Sequence, residues 1–326
     1  MKKIVWLFKE YENNYGQVEY SPAVNFWYGT LEGLGYDVIY YPYENYNAES
    51  FYQDMKAYKP DFILHACYEA LHPEFLRLRE FTQVYVIQSD DDWRYDSFAR
   101  HWIPFVDGVI TLQGDKEAAV GTRCRDLIDW YKRDGLSENQ IHTMRCAFNP
   151  NTMLVDSYAE KDILISHGGS LYGERPALIQ QFCDQGVQVS IANRVMYAQL
   201  LELWNRSKFS LSFTKASDGQ FRQKKGRIAE IGYYSVIVGE PFPNIEEYYE
   251  PDKEFIQFNT TEEAVDKIKF YNTNTQAYQQ MKLRAQRRLW NTNTNYHQWD
   301  KLMQEIDEDY KPADVATILK QFQQPL

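Results

Sequence analysis

The strongest constraint on this chain is an alternation, sustained over nearly its whole length, of short apolar runs with stretches of helical period. Ile4–Phe8, Tyr36–Tyr41, Asp61–Cys67, Val84–Gln88 and Gly108–Leu112 read as strands. Between them, Ser21-Pro22 opens a helix to about Leu34 with Gly35 as its stop. Ala48–Tyr58 reads as a second helix, and Asp115 as the cap of a long one ending near Asp134-Gly135. A strand followed by a helix must cross over before the next strand, so neighbouring strands pair in parallel and both sheet faces are covered. The pattern predicts an open, doubly wound, Rossmann-like sheet.

The Asn/Pro-rich stretch Phe148-Asn149-Pro150-Asn151-Thr152 breaks the period and places a linker near 147–160. A second series follows, with strands at Asp162–Ser166, Val187–Ile191, Phe209–Phe213, Val236–Val238 and Phe255–Phe258. Its helices are Pro176–Asp184, Met196–Trp204, Gly226–Tyr234, a short Ile245–Tyr249, Thr261–Tyr271 and Ala277–Trp290, with a last one from Tyr296 to about Ile306. The expectation is therefore an α/β protein of two Rossmann-like, doubly wound domains facing a cleft. These are 1–150 and 151–326, with the final helix able to return to the first domain. Ligands of such sheets sit at the carboxyl ends of strands, where helix N-termini present unpaired N–H groups, so chemistry is expected on the loops after strands.

Composition removes several function classes. The 326 residues carry a net charge of −11, which disfavours nucleic acid and anionic membranes as partners. No apolar run approaches the roughly 18 residues of a membrane span. Met1-Lys2-Lys3 with Ile4–Phe8 mimics a leader, but its apolar stretch ends at Lys9-Glu10, short of the ~7–15 residues a leader needs. Cys67, Cys124, Cys146 and Cys183 are far apart, without a C-x-x-C pair, which fits a reducing, cytoplasmic setting. Aromatic residues make up 16%, with 26 Tyr; tyrosine-rich surfaces suit sugars, although most of these rings are expected in ordinary packing.

The most informative cluster runs from Phe209–Thr214 through a loop holding Lys215, Arg222, Lys224 and Lys225 into Gly226-Arg227-Ile228-Ala229-Glu230. Cations at a helix N-terminus oppose the dipole. They make sense around an anion such as a diphosphate, with Glu230 placed to accept both hydroxyls of a ribose. A solvated basic loop with an Arg227–Glu230 i,i+3 pair fits the residues equally well. A second cluster, Ile165–Pro176, is a strand, a Gly168-Gly169-Ser170 loop and a helix start with Arg175, a pattern for a phosphate cradle or a plain tight turn.

A third, Gln88-Ser89-Asp90-Asp91-Asp92-Trp93, ends a strand of the first domain. It suits a cleft-lining acceptor site with one Asp as general base, a D-x-D site for Mg²⁺ or Mn²⁺, or a helix N-cap. His65 and His72, beside Tyr68 and Glu69, flank the third strand's end and read as structural before catalytic. Lys9–Tyr20 reads as a loop after the first strand, a place where an acceptor could pass or a plain flexible polar loop. No Ser-His-Asp order, HExxH, Walker A or CxxC motif is visible.

From about Ile163 to Trp299 the chain resembles the donor-binding half of two-Rossmann-domain (GT-B) glycosyltransferases, and within them the CgeB-like (spore maturation protein) group. The residues carrying the likeness are Arg227-Ile228-Ala229-Glu230, Val238-Gly239-Glu240, Glu246-Glu247-Tyr248-Tyr249-Glu250-Pro251-Asp252, Thr261-Glu262-Glu263 and Tyr296-His297-Gln298-Trp299. The likeness implies transfer of a sugar from a nucleoside-diphosphate sugar (UDP- or GDP-linked) to a carbohydrate or other hydroxyl acceptor on the first domain. It implies no cofactor and no required metal. It places the diphosphate and ribose on Gly169, Ser170, Arg175, Thr214, Arg222, Lys225, Arg227 and Glu230, and the acceptor chemistry at Asp90, Asp91 and Asp92.

The sequence departs from the pattern in two places. Many retaining members carry a Glu eight positions before the ribose-binding one, where this chain has Arg222, and the small residues usual after that Glu are Tyr233 and Tyr234. Stereochemistry therefore does not carry over. The rival expectations are a non-catalytic, bilobed nucleotide- or sugar-binding protein and a transferase without turnover.

Overall fold

Strands form where the apolar runs lie, and their flanks decide where they stop. The computed structural model describes residues 1–8, 11–14, 17–20, 27–42, 47–66, 75–153, 161–215, 222–223, 225–242 and 244–322, with 11–14 and 17–20 described by backbone alone. Ser21-Pro22, Cys67, Tyr68, Glu69, His72 and Lys224 lie outside these residues. In chain order the elements are β1 (Lys3–Phe8), β2 (Tyr11–Asn14), β3 (Gln17–Tyr20), α1 (Thr30–Gly33), β4 (Asp37–Pro42), α2 (Ala48–Tyr58), β5 (Phe62–Ala66), α3 (Phe75–Leu78), β6 (Gln83–Gln88), α4 (Asp91–Arg94), β7 (Gly108–Thr111), α5 (Arg123–Arg133) and β8 (Ile141–Thr143). They continue as β9 (Ile163–Gly168), α6 (Arg175–Asp184), β10 (Ser190–Ala192), α7 (Tyr197–Arg206), β11 (Ser207–Ser212), α8 (Arg227–Tyr234), β12 (Val236–Gly239), β13 (Ile256–Gln257), α9 (Thr261–Thr273), α10 (Thr275–Thr292), α11 (Asn295–Ile306) and α12 (Val315–Leu319).

The chain divides into two compact units, one made of Met1–Glu12, Tyr20–Arg145 and Asn295–Leu326, the other of Asn13–Glu19 and Cys146–Thr294. The first holds a six-stranded sheet in the order β4-β1-β5-β6-β7-β8, every pair parallel. Its core packs Val5, Leu7, Ile63, Val84, Val86 and Val109 against Phe51, Phe75, Trp102, Ile128 and Tyr131. The last 32 residues belong to this unit. Trp299 packs edge-on against Trp6 with centroids 5.2 Å apart, and Asp307 accepts hydrogen bonds from the Lys2 ammonium and the Tyr36 hydroxyl.

The second unit holds a five-stranded parallel sheet, β10-β9-β11-β12-β13. One face carries Ile165, Phe209, Leu211, Val236 and Val238 under Phe182 and Ile268. The other carries small hydroxyl residues on β9 and β11. Ser207 Oγ lies 2.8 Å from Ser166 Oγ, which lies 3.0 Å from Ser210 Oγ, itself 2.8 Å from Ser235 Oγ. Small side chains let α7 and α8 lie close to the sheet, and the serines satisfy one another inside it. An added Cβ at Gly168 would stand 2.9 Å from Trp204 Nε1.

Three expectations need correcting. The helix expected from Asp115 starts at Arg123, because the Asp115 carboxylate closes a turn onto the Glu117 N–H (2.9 Å) and Thr122 Oγ1 caps the helix instead. The strand expected at Val187–Ile191 is confined to Ser190–Ala192. Gly186 at φ +82° ends α6, and the Val187 N–H returns to the Phe182 carbonyl, which uses up the first residues of the run. Lys9–Tyr20, expected as a loop, contains the paired strands β2 and β3.

Candidate functional site

The topology itself selects an edge. In the second sheet the chain leaves β9 for β10 on one side and returns to β11 on the other, so the order reverses between β9 and β11. In open parallel sheets the crevice outside the strand ends at such a reversal is where ligands bind. The described residues that follow these strands are 169–174 after β9 and 213–215, with 222, 223, 225 and 226, between β11 and α8.

Gly169 is the first residue beyond β9 and sits at φ +125°. A Cβ there would come within 1.9 Å of Arg227 Nη1, so only glycine allows the guanidinium to lie across the loop. Arg227, the first residue of α8, is half-buried and donates to the Gly168 carbonyl. Burial holds its pKa below the ordinary arginine range, with Tyr172 and Glu230 pulling the other way. The cation is thus turned inward at a helix N-terminus, against the dipole, where an anion would relieve it.

Glu230 lies one turn into α8 and is 1% exposed. Its Oε1 accepts a hydrogen bond from the Tyr197 hydroxyl at the start of α7. Burial raises its pKa to about 7, opposed by the Tyr197 hydrogen bond and the Arg227 charge. Lys225 Nζ lies 3.4 Å from Tyr172 Oη and donates to Gln223 Oε1. Arg227, Lys225, Gly169 and Glu230 are therefore gathered around the β9 end and the first turn of α8.

Other residues expected at this site have committed partners. Arg175 is 3% exposed; its guanidinium stacks on the Tyr172 ring at 3.7 Å and donates to the carbonyls of Ser170 (2.8 Å), Lys215 (3.4 Å) and Phe213 (3.5 Å). Desolvation, together with the Arg227 charge, brings its pKa down to about 10. It ties the two loops together from beneath. Arg222 donates to Thr214 Oγ1 (2.9 Å) and pairs with Glu240 Oε1 (3.1 Å), while Glu240 Oε2 takes the Thr214 N–H (3.0 Å). The Arg222 charge is thus balanced by a buried carboxylate just beyond the end of β12. Lys215 pairs with Glu174. Tyr233 stacks on Phe148, and Tyr234 is buried beside Tyr197, the hydrogen-bond partner of Glu230.

His167, the last residue but one of β9, is 1% exposed beside Phe213 at 5.1 Å. Burial first, then the Arg227 and Arg175 charges, lowers its pKa to about 3, so it is neutral. Its signal in the sequence was only its place at a strand's end before two glycines.

In the first unit, Asp91 and Asp92 are 1% and 3% exposed, and only Asp90 is half-exposed. The Tyr131 hydroxyl donates to Asp91 Oδ2 (2.8 Å), and burial lifts the Asp91 pKa to about 8. The carboxyl expected to serve an acceptor is turned into the interior because Tyr131 of α5 offers a buried partner. Asp90 precedes α4 without making a side-chain cap hydrogen bond. His65 is packed between Phe75 and Trp102, as a core histidine. Among the described residues no three His, Cys, Asp or Glu side chains are grouped to hold a metal ion, and no helix is long and apolar enough to cross a membrane.

Two parallel-sheet α/β units, with a glycine loop and a basic helix N-terminus at the reversal of the second sheet, are the GT-B fold. Residues 153–304 match the family model described as glycosyl transferase-like. Among solved structures, an Anabaena protein, Alr3699/HepE, crystallised with UDP and glucose, has a TM-score of 0.58 at 11% identity over 94% of this chain and 100% of that one. An alpha-glucosyltransferase solved with UDP-glucose and DNA containing an abasic site has a TM-score of 0.62 at 12% identity over 93% and 99%. Sucrose-phosphate synthase from Thermosynechococcus elongatus has a TM-score of 0.58 at 9% identity over 94% and 99%. No curated protein sequence matches the chain.

Proposed function

We propose that the chain is a glycosyltransferase that takes a sugar from a nucleoside-diphosphate donor, with UDP-sugars as the first candidates and GDP-sugars second. The observation that carries this reading is the inward-turned Arg227 over Gly169, one helical turn from the buried Glu230. The diphosphate would lie against the Gly169 and Ser170 main chain, the Arg227 guanidinium, the Lys225 ammonium and the N-terminus of α8; the ribose hydroxyls would donate to Glu230. Arg175, Thr214 and Arg222 hold the loops in place. Leaving-group charge would be stabilised by these fixed cations and N–H dipoles, without a required metal ion. Support comes from the match over 153–304 and from the UDP or UDP-glucose held by solved proteins of this fold.

In this reading the first unit takes a hydroxyl acceptor, with Asp90 the one carboxylate of its triplet at a half-exposed position. The net charge of −11 argues against a nucleic-acid acceptor. The DNA-bound neighbour makes a low-salt gel shift the direct check of that point.

A thermal-shift screen across UDP-, GDP-, TDP-, ADP- and CDP-sugars should pick out one base. Release of free nucleoside diphosphate from the hit then separates a transferase from a binding protein. Stabilisation without any nucleotide release, with or without glycan acceptors, would favour the binding protein.

A further inference from the structure

Resting on that reading, we infer that Tyr197 is the positioning residue of the donor site: its hydroxyl donates to Glu230 Oε1 and thereby fixes the carboxylate that receives the ribose. Glu230 sits on α8 and Tyr197 on the first turn of α7, so the bond joins two separately packed helices. Each is poorly placed alone. Glu230 is 1% exposed, and a carboxylate taken that far from water needs donors to stay ionised. Tyr197 supplies one. A phenol has a single proton, and once it is spent on Oε1 the remaining lone pairs, chiefly those of Oε2, are left for hydroxyl donors.

The direction of transfer is settled by the two groups' environments. Burial and the Glu230 charge hold the Tyr197 phenol well above its ordinary range, so it remains the donor at any working pH. Glu230, lifted to about 7, is the group that changes state. The groups facing the pair are Arg227 on α8 and Tyr234 beside Tyr197, with Tyr172 and His167 coupled through Arg227. His167 stays neutral down to about 3 and Arg175 holds its proton to about 10, so neither titrates between pH 6 and 8.5.

A protonated Glu230 would offer the ribose a competing O–H in place of one acceptor. Donor affinity should therefore rise with pH through about 7. Without Tyr197 the carboxyl loses a hydrogen bond that favours its charged form, and the same rise should come later.

The test is calorimetric titration of UDP-glucose, whose two phosphates have no proton to lose in this range, at pH 6, 7, 8 and 8.5. The proteins are wild type, Tyr197→Phe, Glu230→Gln, Glu230→Ala and the double variant Tyr197→Phe/Glu230→Gln. Wild type is expected to bind several-fold tighter at pH 8 than at pH 6. Tyr197→Phe should bind about 10-fold more weakly at pH 7, the scale of one lost hydrogen bond to a charged group, and recover part of the loss by pH 8.5. Glu230→Gln should give a flat profile, and adding Tyr197→Phe to it should cost under threefold. A Tyr197→Phe profile displaced equally at every pH, or one identical to wild type, overturns the inference. Full affinity in Glu230→Ala overturns the ribose assignment itself, and absence of wild-type binding overturns both.

Discussion

Gly169→Ala asks whether the loop glycine exists to admit the Arg227 guanidinium. The substitution has two costs. At φ +125° an L side chain is strained, at roughly 1–3 kcal/mol. The new Cβ would also stand 1.9 Å from Arg227 Nη1, against ordinary contact at 3.4 Å or more, so the guanidinium must retreat by over an ångström and lose the Gly168 carbonyl. A hydrogen bond to a charged group is worth about 1.5–3 kcal/mol. Gly186→Ala provides the control, because it too has positive φ, +82°, but nothing lies within 4 Å of its added Cβ. Gly169→Ala should therefore melt about 4–8 °C below Gly186→Ala, the equivalent of the extra ~2 kcal/mol in a unit of this size. If Arg227 holds a phosphate, UDP-glucose should also bind about 30-fold more weakly to Gly169→Ala and unchanged to Gly186→Ala. Equal melting points and equal affinities for the two variants would refute the idea that the glycine serves the guanidinium.

Three further outcomes are expected. Arg222→Glu, which sets a second carboxylate against Glu240, whose side chain is only 10% exposed, should cost about 1–3 kcal/mol; chemical denaturation reads the loss, and adding Glu240→Gln should return most of it. Asp91, with a folded pKa of about 8 against an ordinary carboxylate value, binds its proton more tightly folded than unfolded, so its contribution is complete below pH 4 and is lost as pH rises through 8. Melting curves of Asp91→Asn should fall less steeply from pH 5 to 8 than those of wild type, by about 1.4 kcal/mol per pH unit at most. Gly232→Ala would bring a Cβ to 2.0 Å from Tyr249 Oη, which donates to the Ile228 carbonyl (3.0 Å); the melting point should drop by several degrees, and Tyr249→Phe in the same chain should recover part of it.

Much of the fold was legible because parallel strands buried on both faces leave continuous apolar runs, as in Ile4–Phe8 and Val236–Val238. The elements missed were those with too few residues to show a period. β8 is only Ile141–Thr143 and α12 only Val315–Leu319. At the site, the cations and Glu230 were readable as residue types clustered at one loop of an acidic chain, which fits an anion site and a solvated basic loop alike. Their partners were not readable, because Tyr197–Glu230, Arg222–Glu240 and Arg175 to the Phe213 carbonyl join residues far apart in the chain. Asp91 shows the converse. A triplet of aspartates looks like surface chemistry until Tyr131, forty residues on, supplies the buried hydroxyl that turns one of them inward.

The most direct measurement is UDP-glucose affinity by calorimetry at pH 8 for wild type, Glu230→Ala and Lys225→Ala. A nucleotide held at the β9 and α8 ends requires both variants to bind at least 10-fold more weakly than wild type while keeping its melting point within a few degrees. Wild-type affinity in both would mean that the basic loop and the buried glutamate hold no nucleotide.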